Sequence, residues 1–411
     1  MLPDKIRWLA CFAPLLIAVP LAADWSQWRG ANRDGITRDF VVPAIWPAGL
    51  KEVWKVTVGE GHSSPVTSDG RVYVLARQNE EEVVLCLEAS TGKQVWRATY
   101  PAPYTMHPAA TGHGKGPKST PTVSGGRVFT FGINGVLSCF DADNGALHWR
   151  KEFPKRYPNT SPLYGTAMSP IVANGLCVVH AGGHDKGALT AFDVVTGAEK
   201  WANAEDGPAY SSPVLANLAG ELQLVTYTQS HIVGVSLASG KLLWKVANKV
   251  PYDVNSVSPV VYKDLIIVSI HDKGINAIRL SNQAGSLVPH EVWRSDAYES
   301  FMSTPVLAGH RLVGLSHKKK GQFFCLDADT GKTLWESAGR MGENAAVVTV
   351  GAFFFLLTEE AKLFVLRTDA SSFAPVKEYQ VANTPTWAHP LLLGNRIIIK
   401  DQATLAAFAF E

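Results

Sequence analysis

The sequence predicts an all-β fold: an eight-bladed β-propeller of four-stranded antiparallel blades, with tryptophans docked between blades and the last blade closed by an N-terminal strand. Three observations carry this expectation. Strand-like segments end in a bulky aromatic at Trp54, Trp96, Trp149, Trp201, Trp244, Trp293, Trp335 and Tyr379, at intervals of 42 to 53 residues, which is the spacing of propeller blades. Between these aromatics the same order of turn residues returns. The final repeat runs out at Glu411 after its third strand, while a spare strand precedes the first repeat.

Each repeat is legible in chain order. It starts with a Ser/Thr-Pro step, as in Ser64-Pro65-Val66 and Thr304-Pro305-Val306, with further prolines at Pro121, Pro170, Pro213, Pro259 and Pro390; the seventh copy has Ala346-Val347 instead. Proline cannot donate to a ladder, so it suits the first residue of the innermost strand. Asp69-Gly70 and Gly125-Gly126 are tight-turn dipeptides that join the first and second strands. Gly92, Gly145, Gly197, Gly240 and Gly331 follow the third strand and supply the positive φ that turns it into the fourth. The closing aromatics read as wedges between blades, because burying an indole removes roughly 150–250 Å² of surface. They are assigned no catalytic part. The spare strand, Lys51 to Val56 with Trp54, completes the eighth blade and removes an edge that would invite aggregation.

Three segments are expected: a signal peptide over 1–23, an N-terminal extension over 24–50, and the propeller over 51–411. Lys5 and Arg7, the apolar run Trp8 to Ala18, and Pro20-Leu21-Ala22-Ala23 ahead of Asp24 have the form of a cleaved secretory signal, too short for a stable membrane span. The mature chain is expected in the periplasm or secreted, as a monomer. Cys11 follows too little of the apolar run to mark a lipid anchor. Removal of the segment before Phe40 is expected to be tolerated. A net charge of +2 is too weak for a nucleic-acid surface. Cys86, Cys139 and Cys325 fall at equivalent third-strand positions of different blades, out of disulfide reach of one another, so free buried thiols are expected.

The Ser/Thr-Pro-Val start, the close Leu326-Asp327-Ala328-Asp329-Thr330-Gly331-Lys332-Thr333-Leu334-Trp335, and the segment Asp24-Trp25-Ser26-Gln27-Trp28-Arg29-Gly30-Ala31-Asn32-Arg33-Asp34-Gly35 resemble the pyrroloquinoline quinone (PQQ)-like β-propeller repeat family over nearly the whole mature chain. That family includes quinoprotein alcohol and sugar dehydrogenases and the propeller lipoprotein that assists outer-membrane β-barrel assembly. Such a repeat implies a fold, not an activity. The dehydrogenases use two adjacent bridged cysteines beside the quinone, an aromatic floor, and calcium held by carboxylate and amide groups. No two cysteines are adjacent here. The leading expectation is therefore a non-catalytic binding or scaffolding protein of the cell envelope, with no cofactor. The alternative is a PQQ-dependent alcohol or sugar dehydrogenase, with PQQ and calcium.

Strand direction places the Ser/Thr-Pro starts and the loops between second and third strands on one face, at the channel mouth. Loops there read His184-Asp185-Lys186-Gly187, His271-Asp272-Lys273-Gly274 and His317-Lys318-Lys319-Lys320-Gly321. They are either solvated tips or donors for an acidic ligand or an envelope protein partner. A metal set of His184, Asp185, His271 and Asp272 would have to converge across the mouth, and no metal is expected. The insertion Arg97 to Lys118, with His107, His113 and three glycines, reads as a lid, a partner-contacting loop or an anion cradle, but it lacks a P-loop ending. The candidate ligand-binding residues are His62, Lys118, His184, Lys186, Tyr210, Asn255, His271, Lys273 and Trp387. Under the quinone alternative, Lys118, Lys186 and Lys273 would meet its carboxylates and Trp387 would stack on it. No nucleophile elbow or carboxylate pair is legible, and Glu359-Glu360 is expected in solvent.

Overall fold

The computed structural model describes residues 25–157, 162–183 and 185–411. The expected signal peptide over 1–23, with Cys11, and the candidate His184 lie outside the described residues. Among the described residues eight sheets follow one another, seven antiparallel ones of four strands and one of five. Val66–Ser68, Arg71–Gln78, Glu81–Glu88 and Gln94–Pro101 pair in sequence order as blade 1. The eighth blade joins Leu391–Leu393, Arg396–Lys400 and Thr404–Ala409 to Lys51–Thr57, with Trp54 opposite Ala407. The ring closes through the expected strand, which runs one residue further than its sequence suggests.

Five indoles share one docking geometry. Trp54, Trp96, Trp149, Trp201 and Trp293 donate Nε1–H to the carbonyls of Ala89, Ala142, Val194, Leu237 and Ala328 in the next blade, at 2.9 to 3.2 Å. The ring face lies on that blade's turn glycine. A Cβ on Gly92, Gly145, Gly197, Gly240 or Gly331 would come within 2.4 to 2.7 Å of the indole, and the same glycines hold φ between 68° and 75°. Glycine is thus required both by the turn and by the ring above it. A β-bulge skips the residue before the aromatic in the closing strand and in six other blades, which re-aims the ring toward its neighbour. Trp244 departs from the pattern because the long hairpin of Gly274–Gln283 and Ser286–Ser295 replaces the tight turn it would meet. It donates to Gln223 of its own blade at 2.6 Å.

The Ser/Thr before each proline has a second role. The backbone N–H of Ser64 donates to Thr120 Oγ1, Thr120 to Ser169 Oγ, Ser169 to Ser212 Oγ, Ser212 to Ser258 Oγ and Ser258 to Thr304 Oγ1, at 2.9 to 3.2 Å. The N–H of His389 donates to Ser64 Oγ at 2.8 Å. A chain of hydroxyls therefore ties innermost strands around the channel. It breaks where Ala345 and His389 occupy the hydroxyl position, and the Ala345 N–H turns back to Ser303 Oγ at 2.8 Å.

Residues 25–35 plug this channel. Trp25 and Ser26 accept, through their carbonyls, from Thr67 N–H at 3.0 Å and Val123 N–H at 2.7 Å. Arg29 Nη2 donates to the Pro305 carbonyl at 2.6 Å, and Arg33 donates to the carbonyls of Pro213, at 3.0 Å, and Pro170. Both guanidiniums are buried, and burial pushes Arg29 down to about 10 and Arg33 to about 9. Ile36–Thr37 then adds a parallel fifth strand to blade 7 opposite Thr349 and Val350. Phe40 packs edge-on against Phe355 and Phe410. The expectation that everything before Phe40 is dispensable is revised: its loss would leave inner-strand N–H and carbonyl groups without these partners.

Cys86, Cys139, Cys177 and Cys325 are free and buried. Burial raises their thiols, Cys86 to about 11 and Cys139 and Cys325 to about 12, which suppresses the reactive thiolate.

Candidate functional site at the channel mouth

Above the plug, on the face of the Ser/Thr-Pro starts, the channel widens into a cavity of about 360 Å³. Trp28 of the plug lines it, and Ser64, Thr120, Ser169 and Ser212 of the hydroxyl chain form its throat. The insertion after blade 1 supplies one wall. Its single 3-10 turn, Pro108–His113, starts at proline, and His107 Nδ1 accepts from Ala109 N–H at 3.2 Å. Past that turn Gly116 presses on Gly61, where a Cβ would lie 2.4 Å from Gly61 Cα. The Pro117 carbonyl accepts from the N–H of His62 at 2.8 Å and of Ser63 at 3.1 Å. These contacts lock His62 beside Lys118. Gly116 thus serves close loop packing, while Gly112 and Gly114 have open space around them and line a smaller pocket with Gly61 and His62.

Aromatic rings form a collar around the cavity. His62 lies flat on Trp387, 5.1 Å between centroids and 7° between planes. His113 meets Trp387 edge-on at 5.3 Å and Tyr164 at 5.8 Å, and Tyr164 meets Tyr210 at 5.8 Å. Lys118 keeps part of its residue surface exposed, but its Nζ is shut off from solvent and has no hydrogen-bond partner. Burial lowers it to about 8. His62 is held well below its usual range by burial and then by Lys118, His113 and Lys400; His113 is lowered by burial and by Lys118. Near neutral pH both imidazoles are uncharged, and Lys118 carries the positive charge.

Four of the candidate residues converge: His62, Lys118, Tyr210 and Trp387 line the cavity together. Asn255 and His271 line a neighbouring cleft that shares Val254, Ser256 and Phe301 with it. The Asn255 amide is fully used, donating to the Thr228 carbonyl at 2.9 Å and accepting from Asn248 Nδ2 at 2.8 Å. Lys186 and Lys273 do not converge. Lys186 sits at a hairpin tip opposite Gly183, and Lys273 sits in the turn before Gly274, both exposed. Asp185 is tied to Gln229 Nε2 at 2.6 Å. His271 places Nδ1 3.2 Å from Glu299 and Nε2 3.4 Å from Asp272, and one ligand atom from each of the three lies within 4.8 Å of the others.

Trp28, Tyr164, Phe301, Met302 and Glu343 also line the cavity, and none was a sequence candidate. Trp28 lies in a segment the sequence singled out for its resemblance, while Glu343 sits just before the degraded seventh repeat. Glu359, expected in solvent, accepts through its carboxylate from the N–H groups of Glu343 and Asn344 and so shapes the rim.

A quinone with calcium is a poor match for these residues. Calcium takes about 6–8 oxygen ligands, commonly several carboxylates. Among the described lining residues Glu343 is the one carboxylate, and it is exposed. The nearby Lys400 Nζ is committed to the Gly61 carbonyl at 2.6 Å.

Fold and site together define a closed propeller of the quinoprotein-like repeat class, with an aromatic pocket at its mouth that holds one lysine. The profile described as outer membrane protein assembly factor BamB matches residues 38–114 and 105–337, and the chain belongs to that family. BamB of Yersinia pestis is 22% identical over 379 residues, covering 87% of this chain and 88% of that one. The dehydrogenase subunit of a quinone-type alcohol dehydrogenase from Gluconacetobacter polyoxogenes is 25% identical over 342 residues. That match covers 75% of this chain but 44% of the subunit, so this chain spans under half its length. Among solved structures, BamB from Moraxella catarrhalis superposes with a TM-score of 0.63 at 14% identity, over 89% of this chain and 98% of that one. The quinohemoprotein alcohol dehydrogenase from Comamonas testosteroni gives 0.65 at 14% identity, over 94% and 80%. At such identity the structural likeness concerns the fold. Among the described residues no helix is long and apolar enough to cross a membrane.

Proposed function

We propose that this chain is a non-catalytic binding or scaffolding protein of the cell envelope, periplasmic or secreted, that docks an acidic segment of another envelope protein on its channel-mouth face. The observation that carries this reading is the cleft beside the cavity. Tyr252 is 66% and Phe301 39% exposed there, Phe301 packs on His317 at 5.7 Å, and the exposed turn Lys318–Lys320 follows. Solvent-facing aromatics are enriched in binding hot spots, and Lys320 of that turn adds a positive charge to this face, while Lys318 and Lys319 are turned to the Asp296 carbonyl and to Glu336. The name of the Yersinia pestis relative, an outer membrane protein assembly factor, agrees with a protein partner. Affinity capture from an envelope fraction tests it: the parent should retain a partner that Tyr252→Ala/Phe301→Ala loses. Equal capture by both would remove this surface from the reading.

A second reading, a PQQ-dependent alcohol or sugar dehydrogenase, draws support from the stacked His62 and Trp387 beside Lys118 and from the dehydrogenase relatives. Reconstitution with PQQ and calcium, followed by dye-linked oxidation of an alcohol and sugar panel, tests it. Oxidation lost in Lys118→Ala would favour it over the first reading.

A further inference from the structure

We infer that the channel-mouth cavity is a binding site for a small planar organic acid with a single carboxylate, held by Lys118 inside the aromatic collar without a metal ion. This goes beyond the docking surface proposed above, which lies in the neighbouring cleft. The first support is the state of Lys118. Its Nζ is buried and unpartnered, and an ammonium shielded in this way costs several kcal/mol unless a counter-charge reaches it. No carboxylate among the described residues bonds it; the ionisable side chains that share the cavity wall with it are His62 and His113, which its positive charge helps to keep neutral, and Glu343, which is exposed.

The second support is shape. The cavity, about 360 Å³, sits at the small end of the ~300–1,000 Å³ typical of small-molecule sites. Its walls are flat rings that run from the His62–Trp387 stack through His113 to Tyr164 and Tyr210. Rings present faces to a planar ligand, through offset or edge contacts. Phe301 and Met302 add an apolar side.

The third is the count of charges. Lys118 is the one cationic side chain among the described lining residues, and Glu343 stands at the rim. Lys400 is turned toward the Gly61 and Asp401 carbonyls; Arg29 bonds Pro305 through Nη2, and although its Nε and Nη1 are unpartnered the side chain does not line the cavity. One carboxylate is therefore matched, while a second would approach Glu343. A polyanionic quinone with calcium would meet too few cations and too few oxygen ligands.

Isothermal titration of the purified protein with benzoate, 4-hydroxybenzoate and indole-3-carboxylate tests the inference, with benzamide as neutral control and PQQ with and without calcium as polyanionic control. At least one acid should bind saturably at one site and benzamide should not. Lys118→Met should weaken that acid at least tenfold while unfolding as cooperatively as the parent, and Trp387→Leu should weaken it several-fold. Envelope-partner capture should be unchanged in Lys118→Met, which separates this outcome from the docking proposal. No saturable binding of any acid up to millimolar concentration, undiminished binding in Lys118→Met, or tighter calcium-dependent binding of PQQ would each overturn it.

Discussion

The N–H of Thr120 donates to the hydroxyl of Ser169 at 3.0 Å, and this bond joins the innermost strands of blades 2 and 3. Ser169→Ala removes the acceptor and leaves a buried N–H without a partner, which costs about 1–3 kcal/mol. Ser169→Thr keeps the hydroxyl and should cost less. Urea denaturation of the two variants checks this, and equal loss in both would mean that packing, not the hydrogen bond, holds the joint.

Gly331 and Gly70 have nearly the same backbone, φ of 71° and 72°, but different surroundings: a Cβ at Gly331 meets Trp293 at 2.4 Å, and one at Gly70 meets nothing within 4 Å. Gly70→Ala should cost only the left-handed strain, about 1–2 kcal/mol. Gly331→Ala adds overpacking against the indole, worth about 1–3 kcal/mol more. Comparing the two by thermal or urea unfolding isolates the docking contribution.

Arg33 closes the plug from inside by bonding the Pro213 and Pro170 carbonyls and Gln27 Oε1. Arg33→Met keeps bulk and loses the donors, and bonds to charged groups are each worth about 1.5–3 kcal/mol. The variant should lose about 2–4 kcal/mol, with faster amide exchange concentrated at the N–H groups of Thr67 and Val123, which the plug covers.

Lys118→Met should be more stable than the parent near pH 7, by about 1–3 kcal/mol, since each pKa unit of depression corresponds to ~1.4 kcal/mol and part of the residue is solvated. The sign follows from a folded-state value of about 8 against 10.5 for the free side chain: folding disfavours the charged form. The advantage should be constant below pH 8 and shrink as pH rises toward 10.5.

His180 and His389 are buried as neutral rings, lowered by burial to about 4 and about 3. His180 can donate from Nε2 to the Asp206 carbonyl at 3.0 Å, while its Nδ1 has no partner. Below about pH 6.5 the unfolded chain takes up protons that the fold refuses, so stability should fall as pH drops from 6.5 toward 4. His180→Gln should flatten that slope by about one proton, measured as the pH dependence of urea unfolding.

The propeller was legible because its rules are local and repeated: a proline that cannot donate, a glycine that must turn, an indole at a fixed offset. Four site residues, His62, Lys118, Tyr210 and Trp387, were legible for a related reason, since each stands just before an inner strand. Lys186 and Lys273 were misjudged because strand direction fixes the face of a loop but not whether its tip leans over the axis or into solvent. The plug was missed because its partners are carbonyls far along the chain, Pro305 lying 276 residues from Arg29. Nothing in the repeat records such a partner. Glu359 likewise looked solvated until the fold brought the backbone of Glu343 and Asn344 to it.

The pairing of Trp54 with Ala407 also constrains the order of folding. The strand that seals the ring is made long before its partner, so Lys51–Thr57 waits unpaired until Thr404–Ala409 has been made. Contacts of such sequence separation form slowly, and unpaired edges on the way are aggregation-prone. Because residues 25–35 lie inside the ring and directly precede the sealing strand, seating the plug and sealing the last blade are steric neighbours in time as well as in space. The plug must settle among the inner strands before the last blade shuts, or thread a throat already formed, and a slow refolding phase sensitive to Arg33 would mark the first route.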